Sequence, residues 1–332
     1  MAVLSSAEVH SLVRDTFIRC NTSPQNAGAV ARALVDAEFA GQTGHGLRRV
    51  ESYAAQALSG KVDGHAVPKA DKVASATLKI DAAHGFAYPA IDIAVEQLPA
   101  MTAECGIAIA GISRSHHCGV AGVIVERLAD QGMVAMLFAN TPAAMAPWGG
   151  KKALFGTNPI AFAVPQTGGE PVVIDLSLSK VARGKIMAAK QKGENIPEGW
   201  AFGPDGENTT DPNVGLQGTM VPLGDAKGTT LALMVELLSA SLVGANTADK
   251  ASSFFDAEGS PPGVGQTIIA IDPVKLGGER VLDRFADMAR SIEEQEGCRV
   301  PGKRRQELKK SLMESGISVD DDLVESIRAL NA

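Results

Sequence analysis

Residues 133–139 read Met-Val-Ala-Met-Leu-Phe-Ala and decide the fold, because no polar residue interrupts them. A strand with one solvated face would alternate apolar and polar residues, so this run predicts a strand covered on both faces. Upstream, residues 106–113 (Gly-Ile-Ala-Ile-Ala-Gly-Ile-Ser) predict another strand. Apolar residues between them recur at helical spacing through 123–129. The strand-helix-strand order predicts an α/β unit with helices on a sheet.

Predicted strands and helices continue on both sides of these segments. The pattern predicts a helix over 88–98, which Pro99 ends or kinks, and a long polar surface loop over 199–218. It also predicts strands at 75–81, 160–164, 171–175 and 266–271, and an apolar helix over 228–243.

Both ends of the chain predict helices. Ser5 or Ser6 and then Ser23-Pro24 are typical helix starts, and a third helix is expected to run to about Gly60. Residues 281–296 and 306–331 are helical in pattern and are expected to return to the N-terminal helices. We therefore expect a helical part at 1–72, an α/β domain at 73–277 and a second helical part at 278–332.

Composition narrows the functional class. The 332 residues are 45% hydrophobic and 21% charged, which is ordinary for a soluble protein. A net charge of -7 argues against nucleic acid or an anionic membrane as a partner. No signal peptide or apolar span is recognisable, and the four cysteines show no paired spacing. These observations predict reduced thiols and a cytoplasmic location.

A possible catalytic motif lies at Gly44-His45-Gly46-Leu47-Arg48-Arg49. Histidine exchanges a proton near neutral pH, and an arginine four residues later would lie on the same side of a helix. That pair suits a small carboxylate substrate, with a proton donor beside a bidentate clamp. From spacing alone, a helix start with a surface histidine and two solvated arginines is the commoner structure.

No Gly-x-Gly-x-x-Gly fingerprint follows any predicted strand. The ordered motifs nevertheless resemble the type 2 malate/L-lactate dehydrogenases, a family that includes sulfolactate, ureidoglycolate and piperideine- or pyrroline-2-carboxylate enzymes. The matching stretches cover nearly the whole chain in the family's order: Gly44-His45-Gly46 with Arg49, 115–119, 155–159, 175–177 through 182–185, 226–228 and 299–302.

The resemblance implies a non-Rossmann, mixed-sheet nicotinamide-binding domain, a helical domain formed by both chain ends, and a homodimer. It implies hydride transfer between NAD or NADP and carbon 2 of a small 2-oxo or 2-imino acid. By position, His45 is implied as proton donor and Arg49 as carboxylate clamp. Further implied substrate contacts are Thr157, Arg183 and Gly184, the last two in a turn. Implied cofactor contacts are His117, Cys118, Gly119, Val120, Ala121, Asp175, Leu176, Ser177, Lys227, Arg299, Pro301, Gly302, Lys303, Arg304 and Arg305.

Each implied site has a simpler explanation from its residues alone. His116-His117 is compatible with a polar loop or, as a pair, with a metal, although no further ligand stands at suitable spacing, so no metal is expected. Residues 299–305 are compatible with a solvated charge run, although backbone donors and arginines around a Pro-Gly turn suit a phosphate. Asp175 is compatible with a strand-end turn, and Lys227 with a cation at a helix start.

Two departures from the family pattern bear on the substrate. Many members carry serine just before the histidine, where this chain has Gly44, so a hydroxyl that could orient the imidazole is missing. Ketimine-reducing members carry an acidic residue shortly after the glycine matching Gly184, where Lys185 stands here. The second departure favours a malate-, lactate- or sulfolactate-type substrate. A ketimine reductase and a catalytically silent nucleotide-binding protein are the alternatives.

Overall fold

The computed structural model describes residues 1–331. Its main sheet has seven strands in the order β2-β3-β4-β11-β5-β6-β7, in which only the β3–β4 pair is parallel. The predicted mixed sheet is thereby confirmed. The strands are β2 (Lys69–Ala74), β3 (Thr77–Asp81), β4 (Ile107–Ser115), β5 (Val134–Ala139), β6 (Ile160–Val164), β7 (Val172–Leu176) and β11 (Val264–Ile271).

Alternation along β5 shows that both faces of the sheet are covered. Ala135 and Leu137 pack into one core, and Met136 and Phe138 pack into another on the opposite face. The first core is closed by α4 (Ala87–Cys105) and α5 (Ala121–Ala129), and the second by α6 (Arg183–Lys192) and α8 (Ala226–Glu236). The prediction from residues 133–139 is correct.

A helical layer joins the two ends of the chain. It contains α1 (Ser6–Arg19), α2 (Pro24–Phe39), α3 (Val50–Ser59) and α12 (Asp321–Ala329), whose apolar sides share one core. At its edge β1 (Ala2–Leu4) pairs antiparallel with β12 (Ile317–Val319). The predicted return of the C-terminal helices to the N-terminal ones is confirmed for α12.

Local sequence explains how these helices begin and end. Ser5 and Glu8 form a capping box at the start of α1. Ser23 caps α2, with Pro24 in its first turn. Gly60 ends α3 in the left-handed conformation that glycine adopts without strain, at φ 78°.

Several sequence expectations need correction. The polar stretch 199–218 is not a plain loop, since it contributes to a small three-stranded sheet of β8 (Ala201–Phe202), β9 (Asn208–Thr209) and β10 (Thr219–Met220), with α7 (Pro212–Gln217) beside it. Pro99 lies inside α4 and does not end it. The C-terminal region is divided into α9 (Pro273–Gly277), α10 (Val281–Glu293) and α11 (Lys303–Ser315), with β12 between α11 and α12. Within the described residues, no helix has the length and apolar character to cross a membrane.

Candidate active site

His45 and Arg49 lie at the ends of two consecutive 3-10 turns, Thr43–His45 and Leu47–Arg49. Between the turns, Gly46 has φ -98° and ψ -133°, which is outside the helical region. The expectation that both side chains project from one continuous helical turn is therefore wrong.

Glu38 explains why position 46 is a glycine. Its carboxylate accepts the Leu47 N–H at 2.7 Å, and a Cβ on Gly46 would collide with that carboxylate. Burial is the largest influence on Glu38 and raises its pKa, while the bond from Leu47 opposes the shift. The break between the two turns is thus held by α2.

Arg49 nevertheless folds back to the histidine. Its Nε donates to the Gly44 carbonyl at 2.8 Å, and its guanidinium carbon lies 4.4 Å from the centre of the Phe255 ring. Its Nη1 is buried and has no hydrogen-bond partner among residues 1–331. Arg48, by contrast, is exposed. The Nη1 group of Arg49 therefore lacks an acceptor among residues 1–331.

His45 stands at one end of a chain of hydrogen bonds. Its Nδ1 lies 3.2 Å from His117 Nε2, and His117 Nδ1 contacts the Tyr53 hydroxyl. The Tyr53 hydroxyl lies 3.4 Å from that of Tyr88. The sequence left open what orients the imidazole in the absence of a hydroxyl at Gly44, and the structure places His117 against Nδ1.

Burial keeps these histidines neutral. It lowers the pKa of His45 to about 4, with a smaller contribution in the same direction from the charge of Arg49. Burial lowers the pKa of His116 to about 3 and that of His117 well below its ordinary value. A neutral imidazole has one donor and one acceptor nitrogen, so the His45–His117 pair can exchange a proton by changing tautomers.

His116 and His117 are turned to different neighbours. His116 Nε2 bonds to Gln56 Oε1 at 2.9 Å, while its carbonyl accepts from Gln266 at 3.0 Å. The described residues contain no group of three or more potential metal ligands.

Thr157 lies in a loop that hydrogen bonds hold in place. Its N–H donates to Thr141 Oγ1 at 2.9 Å, and the next residue, Asn158, donates to the buried Glu236 at 2.8 Å. Asn158 has φ 39°, a conformation that asparagine tolerates better than most residues. Thr157 is thus firmly positioned and half-buried.

Arg183 and Gly184 begin α6 and do not form the isolated turn that the sequence suggested. Arg183 is half-buried, and burial lowers its pKa. It makes no ion pair within residues 1–331, and Lys185 beside it lies 5.8 Å from the ring centre of Trp200. No hydrogen bond or ion pair described for these residues connects Thr157 or Arg183 to His45.

Three of the predicted cofactor segments meet at the start of α5. The loop 117–121 is buried, and the N–H of Gly122 just after it donates to Asp175 Oδ2 at 2.8 Å. A Cβ on Gly122 would lie 2.9 Å from both Asp175 and Arg305. Arg305 also pairs with Glu126 at 2.8 Å. Burial raises the pKa of Asp175, against the bond from Gly122 and the charge of Arg305.

The remaining predicted cofactor residues differ in exposure. At the start of α11, Lys303 pairs with Glu293 at 2.6 Å, whereas Arg304 is exposed and makes no ion pair within residues 1–331. Gly302 has φ 89°. Of the others, Ser177 bonds to Ser179, and the exposed ones are Leu176, Lys227, Arg299 and Pro301.

Sequence reasoning missed a second wall of the site. The sequence alone does not assign Tyr53, Gln56, Lys61, Phe254 or Phe255 to the site. The Phe254 ring lies 5.0 Å from that of His116 and 5.3 Å from that of His117. Phe254 and Phe255 are adjacent aromatics in a chain with only 4% aromatic residues, which is the one signal that could have pointed to them.

Comparisons with known proteins agree with this architecture. Residues 4–328 match the sequence profile of the family described as malate/L-lactate dehydrogenase. The chain is 51% identical over 303 residues to a (2R)-3-sulfolactate dehydrogenase (NADP(+)) of Chromohalobacter salexigens, covering 91% of this chain and 90% of that one.

Two further relatives are named as reductases. A Delta(1)-pyrroline-2-carboxylate reductase of Ancylobacter novellus is 38% identical over 330 residues, or 98% of this chain and 97% of that one. The crystal structure of delta1-piperideine-2-carboxylate reductase from Pseudomonas syringae superposes with a TM-score of 0.94 at 36% identity, covering 99% of this chain and 100% of that one.

Proposed function

This chain belongs to the malate/L-lactate dehydrogenase family, and we propose that it interconverts a 2-hydroxy and a 2-oxo acid of the 3-sulfolactate type with NADP as cofactor. It is an NAD(P)-dependent oxidoreductase. The observation that supports a small carboxylate as substrate is the buried Nη1 of Arg49, which has no partner within residues 1–331 and lies near His45.

Arg49 binds the carboxylate on carbon 2. A buried guanidinium edge without an acceptor is unfavourable, and a carboxylate satisfies it with a charge-assisted hydrogen bond. Because Gly44 and Phe255 already fix the Arg49 side chain, little of its conformational freedom remains to be lost on binding.

His45 moves the proton. Its Nδ1 is occupied by His117, so Nε2 is the nitrogen that faces the substrate oxygen. For reduction, Nε2 donates its proton to the oxygen on carbon 2, Nδ1 takes one from Nε2 of His117, and His117 takes one at Nδ1 from the Tyr53 hydroxyl. A proton from solvent restores this chain after each turnover. For oxidation, the tautomers reverse and Nε2 accepts the hydroxyl proton.

The residues at the start of α5 fit a dinucleotide. The absence of a side chain at Gly122 lets Asp175 and Arg305 pack directly against the start of α5, and the cation of Arg304, which makes no ion pair within residues 1–331, suits an additional phosphate. Lys227 stands in the first turn of α8, where a cation is disfavoured unless an anion lies nearby. When bound, the cofactor supplies or accepts the hydride at carbon 2. The assignment of these residues to NADP is our proposal.

Arg183 distinguishes between the substrate classes. A half-buried cation without an acidic partner within residues 1–331 is suited to a second acidic group, such as a sulfonate. The alternative substrate is a cyclic ketimine, as in the pyrroline-2-carboxylate reductases that this chain resembles, and it carries one carboxylate only. Thr157 and Gly184 complete the proposed substrate pocket.

A substrate panel tests the proposal. The enzyme is incubated with NADPH or NADH and, in turn, 3-sulfopyruvate, oxaloacetate, pyruvate, Δ1-pyrroline-2-carboxylate and Δ1-piperideine-2-carboxylate. We expect the highest kcat/KM with 3-sulfopyruvate and NADPH. Preference for a cyclic imine would establish the alternative, and nucleotide binding without turnover on any compound would identify a silent binding protein.

The homodimer implied by the family resemblance is supported by an apolar surface, which we call the α8 face. It consists of five exposed side chains on α8, on the π-helical segment Leu237–Ser241 that continues it, and at the residue that follows: Leu231, Leu233, Met234, Leu237 and Leu242. A patch of this kind is typical of an interface between subunits. We propose that a second copy of the chain covers it.

Light scattering on the purified protein tests the dimer. Leu237→Glu places a charge in the α8 face and is expected to yield monomers. The matched control is Leu276→Glu on α9, where the leucine is 83% exposed and lies outside the face. A monomeric wild type, or a Leu237→Glu variant that remains dimeric, would contradict the proposal.

The remaining assignments rest on sequence alone. With a net charge of -7, we propose a cytoplasmic enzyme whose partner is a small carboxylate and neither nucleic acid nor membrane.

A further inference from the structure

The segment 253–256, which we call the aromatic strap, is not part of the helical layer but contacts the residues of the candidate site. Lys61 fixes it: the Lys61 side chain is only 1% exposed, and its ammonium donates to Ser253 O at 2.8 Å, Asp256 O at 3.0 Å and Asp256 Oδ1 at 2.9 Å. A lysine has three N–H donors, so all of them are used on the strap. The bond from Lys61 is also the largest influence that lowers the pKa of Asp256.

Gln56 connects the strap to the histidines. Its Nε2 donates to Phe254 O at 2.9 Å, and its Oε1 bonds to His116 at 2.9 Å. The Phe254 ring packs edge-on against the ring of His116 and at a tilt against that of His117. Gln56 lies in α3, and Lys61 follows shortly after its end. The helix α3 itself begins directly after the 3-10 turn that contains Arg49.

Phe255 is the part of the strap that touches the substrate clamp. Its ring lies over the guanidinium of Arg49 at 4.4 Å, within the range of a cation–π contact. Gly44 holds the Nε edge of the same guanidinium at 2.8 Å. The Phe255 ring and the Gly44 carbonyl together fix the plane and the rotation of the Arg49 guanidinium, whose Nη1 has no hydrogen-bond partner within residues 1–331.

We propose that Phe255 is a positioning residue for the carboxylate clamp, held over Arg49 by the buried ammonium of Lys61. The inference rests on the proposed role of Arg49. Phe255 is 40% exposed, so its contact with Arg49 cannot be explained as part of a closed core. A correctly oriented guanidinium makes two parallel bonds to a carboxylate, whereas a tilted one makes one.

The test is steady-state kinetics with NADPH and 3-sulfopyruvate, or with Δ1-pyrroline-2-carboxylate if the panel selects it, since both carry the carboxylate. Phe255→Leu retains apolar bulk but removes the aromatic face, and we expect KM for the acid to rise about tenfold while Kd for NADPH is unchanged. Phe255→Tyr retains the face and should stay within about twofold of the wild type.

A double-mutant cycle separates this inference from the function on which it rests. In an Arg49→Lys background, Phe255→Leu should have little further effect on KM, because the ring has no guanidinium to orient. If Arg49→Lys leaves KM unchanged, the proposed role of Arg49 is wrong. If Arg49→Lys raises KM but Phe255→Leu does not, or if both effects simply multiply, the positioning role of Phe255 is wrong.

Lys61 is tested from the other end of the strap. Lys61→Met is expected to raise KM for the acid in the same direction as Phe255→Leu, and Lys79→Met, at an exposed position on β3, is the matched control. A Lys61→Met enzyme that is folded by circular dichroism and has wild-type KM would overturn the anchoring role. If Lys61→Met does not fold, the Phe255 variants alone decide the proposal.

Discussion

At the scale of single residues, His45 has one nitrogen available for chemistry, because His117 occupies the other. We expect His45→Ala to lower kcat by about a hundredfold or more, the usual contribution of a positioned general acid. Kd for NADPH, measured by fluorescence titration, should be nearly unchanged. The control is His65→Ala, at an exposed histidine. Undiminished turnover in His45→Ala would remove this residue from the mechanism.

Arg49 and Arg48 provide a matched pair of neighbouring arginines. Lysine supplies a point charge in place of a planar fork, so Arg49→Lys should raise KM for the acid and also lower kcat, because a misplaced substrate loses its reactive geometry. Arg48 is exposed, and Arg48→Lys should change either constant by less than about twofold. Equal effects of the two substitutions on KM would contradict the clamp.

The sequence could predict part of this site but not all of it. His45 and Arg49 are four positions apart, so local spacing and the family resemblance both indicate them. Phe255 reaches Arg49 from about two hundred residues away in the chain, and no local pattern encodes such a contact. The role of His117 beside His45 was equally hidden, because the sequence shows only a polar loop and not the direction of its rings.

At the scale of elements, the structure distinguishes two cations at the start of α11 that the family resemblance implied as cofactor contacts. Lys303 is paired with Glu293, whereas Arg304 is exposed and unpaired within residues 1–331. If the extra phosphate of NADP lies here, Arg304→Ala should weaken NADPH by about tenfold or more and NADH by less than twofold. Lys303→Ala should affect both only slightly. Isothermal titration with the two cofactors measures this, and equal losses for both in Arg304→Ala would contradict a phosphate contact.

Elements with strong periodicity were predictable, and short or interrupted ones were not. The apolar run of β5 and the capped helices α1 to α3 follow directly from the sequence. The strands β8 to β10 have two residues each, too few to show alternation. The helical pattern over 306–331 concealed a break at Gly316, whose φ of 82° ends α11 and lets β12 pair with β1.

At the scale of the whole molecule, buried neutral histidines make stability depend on pH. The pKa of His116 is lowered from about 6.5 when unfolded to about 3 when folded. Below pH 6.5 the unfolded chain therefore binds more protons, so this stability is fully present above pH 6.5 and is lost as the pH falls toward 3. From pH 7.5 to 5.5, one such histidine should reduce the free energy of unfolding by about 1.4 kcal/mol.

Urea unfolding at both pH values measures this loss. His116→Gln should lose about 1.4 kcal/mol less than the wild type between the two pH values, whatever its absolute stability. His65→Gln, at an exposed position, should follow the wild type. Parallel pH dependence of His116→Gln and wild type would show that His116 is not held neutral by the fold.

The pairing of β1 with β12 sets the order in which the molecule can be built during translation. Ala2–Leu4 leaves the ribosome long before its partner strand, which emerges only after residue 316. Until then the apolar sides of α1 to α3, with Phe17 and Tyr53, lack the cover that Val324 and Ile327 later provide. We expect nascent chains that stop short of Ile317 to be readily cleaved by proteases in this region, while the central sheet is already protected. Because the Tyr53 hydroxyl contacts His117, we expect His45 and His117 to acquire their final arrangement only after α12 has been synthesised.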